Sequence, residues 1–326
     1  MHYINNNRKK ILRLLSALLL LPLFCINITA SAANDYSNTY KNTGNERNDI
    51  INVAITQIGY CEGDNNDTKY GAWYGLNNNP WCAMFISWCA RQADIPACIL
   101  PSYASCDMWI QWFKENNLWV DVNKTLGSNP DYTVLPGDLV FYDWEGDGTS
   151  GHVGLVEYVS DGEIHAIEGN TGDDPEHVLR KVRTDCILGY GTPKYLDTSA
   201  CDMSLPADYT VSTGGIGLHL RSKAGTDNES LSSIPDGSII TISRIDNGWG
   251  KTSYNGYDGF VSMDYCIPAG AKPSDGSYVS TGSKEPASQN DSPSPDNSCF
   301  FMKAFEGFVK SHFCFTVRMF IHIFFI

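Results

Sequence analysis

Basic residues are scarce in this chain, 23 Lys and Arg against 37 Asp and Glu, and the 326 residues carry a net charge of −14. So acidic a molecule repels phosphate backbones, which argues against nucleic acid as a partner. No Cys-x-x-Cys pair occurs among the 11 cysteines, and no histidine cluster lies near them. A structural zinc site therefore has no ligand set to draw on. The cysteine spacing matches no small disulfide scaffold either. Also missing is any uninterrupted apolar run of the roughly 20 residues that an ordinary membrane span needs.

The run that comes nearest, Leu14 to Ile28, follows Arg8, Lys9, Lys10 and Arg13 and leads into Ala30-Ser31-Ala32. A positive start, a short apolar stretch and small residues at its end form the pattern of a secretory signal peptide. Residues 1–32 are thus expected to be cleaved and the rest exported as a free chain, since Phe24 ahead of Cys25 is not the small residue of a lipoprotein signal. The loss takes four positive charges and no acids, moving the net charge to −18. About 290 residues then remain, room for one core-forming domain and a smaller one. A hydrophobic share of 42% and an aromatic share of 12% suit a folded globular protein.

Between Asn45 and Ile58, the apolar residues Ile50, Val53, Ala54 and Ile58 recur at helical spacing behind polar residues able to cap the start. From Gly59 to Pro80 the chain is rich in Gly, Asn, Tyr and Trp and reads as a structured loop. A second helix is expected from about Trp81; Ala83 to Ala90 is apolar nearly all round, as in a helix buried within a core. A third runs from about Ser105 to Asn116. After Pro136-Gly137-Asp138 come strand-like runs, Leu139 to Tyr142, His152 to Val159, Glu163 to Ile167 and Leu188 to Tyr195. Helices first and strands afterwards predict an α+β domain with an antiparallel sheet, over residues 45–197. Residues 206–268 form a second unit of short strands and Gly, Asn, Asp and Pro turns, read as a small β-barrel. Ser, Pro, Asp and Gly dominate 269–298, the texture of a flexible linker. The tail, 299–326, is aromatic and apolar but broken by Lys303, Glu306, Lys310, His312, Arg318 and His322, a poor membrane helix; no stable membrane insertion is expected and its role stays open.

A nucleophilic cysteine works as thiolate, and placement at a helix N-terminus beside a histidine favours that form. Cys82 follows Pro80-Trp81 at the start of the buried helix. Of His152, His165 and His177 in the same domain, His152 is best placed, opening a strand after the Gly148 to Gly151 turn. A base needs an orienting partner. Strand alternation in Ile164 to Asn170 puts Ala166, Glu168 and Asn170 on one face and His165 on the other, so Glu168 is a candidate to hold the imidazole, and Asn170 to orient it or polarise a carbonyl. Taken singly these residues have ordinary readings: a core thiol, a strand-end histidine, a solvated strand charge. Their ordered combination is what points to chemistry.

That combination resembles the CHAP domain, the cysteine, histidine-dependent amidohydrolase/peptidase family, over roughly residues 48–196. The likeness lies in Gln57-Ile58-Gly59-Tyr60, Lys69-Tyr70-Gly71, Trp73-Tyr74-Gly75, Pro80-Trp81-Cys82-Ala83, Pro136-Gly137-Asp138, Gly151-His152-Val153-Gly154 and Ile167-Glu168-Gly169-Asn170. It implies a papain-like fold and a catalytic set with Cys82 as nucleophile, His152 as general base, Glu168 orienting it and Asn170 as a further polar member. It also implies hydrolysis of peptidoglycan amide bonds, by an N-acetylmuramoyl-L-alanine amidase or an endopeptidase, outside the cell or at the wall. Residues 208–267 resemble a bacterial SH3 (SH3b) domain through Leu218-His219-Leu220-Arg221-Ser222, Pro235-Asp236-Gly237, Gly248-Trp249, Tyr254-Asn255-Gly256 and Gly259-Phe260-Val261. That resemblance implies binding of cell-wall peptides, which raises the local concentration of an enzyme on its polymer.

No cofactor is called for. Asp64-Asn65-Asn66-Asp67 and Asp143 to Gly148 offer oxygen ligands for calcium, but neither completes a twelve-residue EF-hand loop, and solvated turns are the reading taken. Two alternatives stand beside the hydrolase. One is a non-catalytic wall-binding protein on a CHAP scaffold; the other is an NlpC/P60 endopeptidase, whose Cys-Ser-Gly helix start is replaced here by Cys82-Ala83-Met84.

Overall fold

The computed structural model describes residues 39–122 and 132–278. The expected signal peptide, the later part of the linker from 279 and the 299–326 tail lie outside them. Helix α1, Glu46–Ile55, begins where the Asn45 side chain accepts the N–H of Asn48, with Glu46 and Asp49 in its first turn beside the positive end of the helix. Helix α2, Lys69–Tyr74, falls in the stretch expected to be loop. Six residues are too few to display a helical period, yet Thr68 caps the start by accepting the N–H of Gly71 at 2.9 Å, and Gly75, at φ 84°, ends the helix in left-handed backbone. Helix α3, Cys82–Gln92, is buried from Cys82 to Ala90, as its all-round apolar sequence requires. Helix α4, Cys106–Glu115, is amphipathic and turns Trp109, Ile110 and Phe113 inward.

The strands of the first domain are β1, Trp119–Asp121; β2, Leu139–Tyr142; β3, His152–Ser160; β4, Glu163–Thr171; β5, His177–Arg183; β6, Ile187–Gly191; and β7, Leu196–Asp197. Six of them form one antiparallel sheet in the order β1-β6-β2-β3-β4-β5. One face, with Val153, Leu155, Ile167 and Val178, joins the helices in the main core; Val140, Tyr142, Val156, Ala166 and Tyr190 make a second cluster. The domain is therefore α+β. Strand β5 escapes sequence reading because Arg180, Lys181 and Arg183 interrupt its apolar residues; two of those cations pair with carboxylates of β3 and β4.

The second domain comprises β8, Ala207–Val211; β9, Leu218–Arg221; β10, Ser230–Ile234; β11, Ile239–Ile242; β12, Arg244–Asp246; β13, Trp249–Tyr254; β14, Tyr257–Ser262; and β15, Cys266–Pro268. Where a small barrel is expected, the strands form two antiparallel sheets, β10-β9-β14-β13-β12 and β11-β8-β15. Tyr209, Val211, Leu218, Leu220, Ile234, Ile240, Ile242, Val261 and Cys266 are their core. A short 3-10 turn, Met263–Tyr265, touches the first domain: Asp264 pairs with Arg91, and its carbonyl accepts the N–H of Cys98 at 3.1 Å. Residues 269–278, the beginning of the expected linker, do not leave the fold. Strand β16, Lys272–Pro273, pairs with β7, the N–H of Ser274 donates to the Tyr195 carbonyl at 2.9 Å, and the Tyr278 hydroxyl reaches Oδ1 of Asn52 at 3.3 Å.

Candidate active site

Cys82 is the first residue of α3, where the backbone N–H groups of the opening turn have no partners within the helix. The chain entering that helix is held from three directions. Oδ1 of Asn170 accepts the Trp81 N–H at 2.7 Å, Oε2 of Glu62 accepts its indole N–H at 2.8 Å, and its ring stacks on Tyr70 at 5.2 Å between centroids. Strand β4 comes this close because Gly169 has no side chain; a Cβ there would stand 2.7 Å from the Trp81 ring and 2.8 Å from Phe85.

His152 opens β3 and faces Glu168 of β4. Leu155 stands opposite Ile167 in the register, which brings Glu168 beside Gly154, two residues from His152 on the same face. A Cβ on Gly154 would lie 2.9 Å from Cγ of Glu168; its absence is the room through which the carboxylate reaches the imidazole, Nε2 to Oε2 at 3.0 Å. The Trp144 ring stacks on the imidazole at 5.0 Å and 26°. Both partners are buried, Glu168 completely.

Burial of a carboxylate calls for a cation, and Arg183 of β5 supplies it: its Nε lies 3.1 Å from Oε1 and its Nη2 3.0 Å from Oε2 of Glu168. The guanidinium also lies over the rings of Tyr142 and Trp144. Burial alone would raise the Glu168 carboxyl, but His152 and then Arg183 outweigh it and bring it down to about 2. For His152 burial again works against charge, and the bonds and charges of Cys82 and Glu168 overcome it, raising the imidazole to about 9. The Cys82 thiol is held well below its ordinary value, chiefly by its hydrogen bond with Cys106; burial opposes this, and His152 adds to the lowering. The arrangement favours a thiolate and an imidazolium side by side. Both residues are buried, Cys82 with 6% and His152 with 2% of its surface exposed.

Three of the four expected site residues therefore meet, and the fourth has another task. Asn170 sits at φ 59°, where the β4 and β5 register slips between Glu168 and Thr171. The irregularity breaks the alternation that would align Asn170 with Glu168. Its side-chain oxygen consequently serves the start of α3. His165 stacks on Tyr158 at 4.2 Å, and His177 bridges through its backbone to Cys61. Arg183, Trp144 and Cys106 do not stand out in the sequence as site residues. The only available sign for Cys106 is that, like Cys82, it begins a helix.

Of the loops considered for calcium, Asp143 spends its carboxylate on the N–H groups of Gly146, Asp147 and Gly148, and Oδ1 of Asp147 accepts from Thr149. Among the described residues no group of three or more His, Cys, Asp or Glu is arranged to hold a metal ion. No helix among them is long and apolar enough to cross a membrane.

This cysteine, histidine and glutamate set lies within a span, residues 73–170, that matches the CHAP domain, and residues 216–266 match the bacterial SH3 domain. The chain carries a CHAP domain followed by a bacterial SH3 domain. A protein of Bacillus subtilis (strain 168), "Putative N-acetylmuramoyl-L-alanine amidase YrvJ", is 28% identical over 118 residues, 36% of this chain. The chain spans about a fifth of that relative, 22% of its length. The solved structure of Ly7917 is 16% identical, with a TM-score of 0.27 over 66% of this chain and 91% of that one. NlpC2 from Trichomonas vaginalis is 14% identical, with a TM-score of 0.17 over 40% and 45%.

Proposed function

We propose that this chain is a secreted, cell-wall-associated peptidoglycan hydrolase that cuts amide bonds with Cys82 as nucleophile. The observation that carries the reading is the buried His152 to Glu168 contact, 3.0 Å, beside a thiol at the head of α3. The Cys82 thiolate attacks the carbonyl carbon of an amide, and the unpartnered N–H groups at the start of α3 receive the developing oxyanion. With Nε2 of His152 engaged by Glu168, the proton travels through Nδ1 to the leaving amine. A thioester to Cys82 remains. Water, losing its proton to His152, adds to it, and collapse releases the acid and restores the thiol. Glu168 holds the imidazole in one orientation throughout, and Asn170 positions the helix start. No step calls for a cofactor.

Two activities are to be separated, an N-acetylmuramoyl-L-alanine amidase and an endopeptidase; the Bacillus subtilis protein matched over 22% of its length is named a putative amidase. The bacterial SH3 domain would hold the enzyme on wall peptides. Digestion of purified walls followed by mass spectrometry of the soluble fragments tests all of this together. Free muramic acid lactyl groups with released stem peptides are expected of an amidase, and split stems or cross-bridges of an endopeptidase. Cys82→Ala should release neither. Full activity in that variant, or no fragments from the unaltered protein, would end the proposal.

A further inference from the structure

Beside the nucleophile stands a second thiol that the mechanism above does not use. Sγ of Cys106 lies 4.0 Å from Sγ of Cys82, across 24 residues of sequence, within hydrogen-bonding range for sulfur. Both are free thiols and both are nearly buried, at 7% and 6% exposure. Each is the first residue of its helix, α4 for Cys106 and α3 for Cys82, so two helix N-termini converge on one sulfur pair. A disulfide needs about 2.05 Å between sulfurs, so this pair is two separate thiols in contact. Ser150, just ahead of the histidine strand, has its hydroxyl 2.8 Å from the His152 carbonyl and 3.0 Å from that of Tyr142.

We propose that Cys106 belongs to the catalytic centre as the hydrogen-bond donor that positions the attacking sulfur of Cys82, an inference that rests on Cys82 being the nucleophile. Two neighbouring thiols at this distance share a proton unequally. The imidazole lies by Cys82, so the negative charge settles there and the S–H stays on Cys106, pointing back at it. The directions of the two thiols agree: Cys82 is lowered chiefly by Cys106, and Cys106 is raised chiefly by Cys82. Unlike His152, Cys106 exchanges no proton with substrate. It gives the sulfur a donor held in place by the start of a second helix.

The test is the pH dependence of iodoacetamide labelling at Cys82, resolved by peptide mass spectrometry under reducing conditions, in the unaltered protein, Cys106→Ala and Cys106→Ser. Loss of the donor should move the labelling midpoint upward by about one pH unit, a roughly tenfold slower reaction on the acidic side. Cys106→Ser, which keeps a donor, should lie closer to the unaltered protein, and wall hydrolysis should follow the same order. A merely structural role would lower yield or melting temperature and leave the midpoint in place. Coincident midpoints in the unaltered protein and Cys106→Ala overturn the proposal. An active Cys82→Ala variant overturns instead the reading beneath it, and does so in a separate assay.

Discussion

Arg183 lays its guanidinium along the carboxylate of Glu168, with Nη2 3.0 Å from the oxygen, Oε2, that Nε2 of His152 also contacts at 3.0 Å. One buried oxygen thus serves two cations, His152, which the acid orients, and Arg183, which adds to the stabilisation of its charge. Removing the guanidinium while leaving His152 in place takes a charge-assisted interaction worth about 1.5–3 kcal/mol from the set. Arg183→Met should therefore lower kcat by roughly 10- to 100-fold with a smaller change in KM. Arg183→Lys should recover only part of this, since an ammonium lacks the planar fork and the stacking on Tyr142 and Trp144. Steady-state kinetics on a soluble muropeptide decides it; unaltered turnover in Arg183→Met would show that Glu168 needs no second partner.

Activity should trace a bell with pH. Its acidic limb follows ionisation of Cys82, whose thiol is lowered, and its alkaline limb follows loss of the imidazolium proton of His152, raised to about 9. Rates of kcat/KM should accordingly hold through neutrality and fall near pH 9. An alkaline limb close to 6.5, the ordinary value for histidine, would contradict the buried ion pair.

Gly154 is the gap through which Glu168 reaches His152. Gly154→Ala would set a methyl 2.9 Å from Cγ of Glu168, and the strand must shift or the carboxylate must turn. The expected cost is about 1–3 kcal/mol of stability from overpacking, with kcat down by an order of magnitude or more. Thermal melts paired with hydrolysis rates would show it, and a variant equal to the parent in both would remove the steric account of how the pair is assembled.

Outside the site, Glu46 is buried in α1 and accepts the N–H of Leu196 at 2.7 Å. Burial raises its carboxyl to about 8 from 4.5, the Leu196 N–H partly offsets this, and the charge of Asp49 adds to it. The folded chain thus prefers Glu46 protonated. The stability from that preference is complete below pH 4.5 and is lost as pH climbs through 8. Glu46→Gln keeps an acceptor without the charge, so it should raise the melting temperature at pH 9 by roughly 2–4 °C per kcal/mol relieved and change little at pH 5. Equal effects at both pH values would count against a buried charge.

The helix holding Cys82, the strand opened by His152 and the position of Glu168 are readable from apolar pattern and turn residues, because each lies in a regular element. Arg183 is not, since a cation in a short charged strand looks solvated until the fold supplies the carboxylate beneath it. Asn170 shows the converse: alternation predicts its face, and a single left-handed residue overrides the prediction. Helix α2 is hidden by its length alone. Cys106 is hidden for a different reason, since a contact across 24 residues between two helix starts leaves no local mark.

The return of β16 to β7 ties the bacterial SH3 domain to its neighbour at both ends. A protease that nicks the exposed connection around residues 199–206 would therefore not set the two halves adrift. They would stay together without a covalent bond, and the cut would appear only after denaturation.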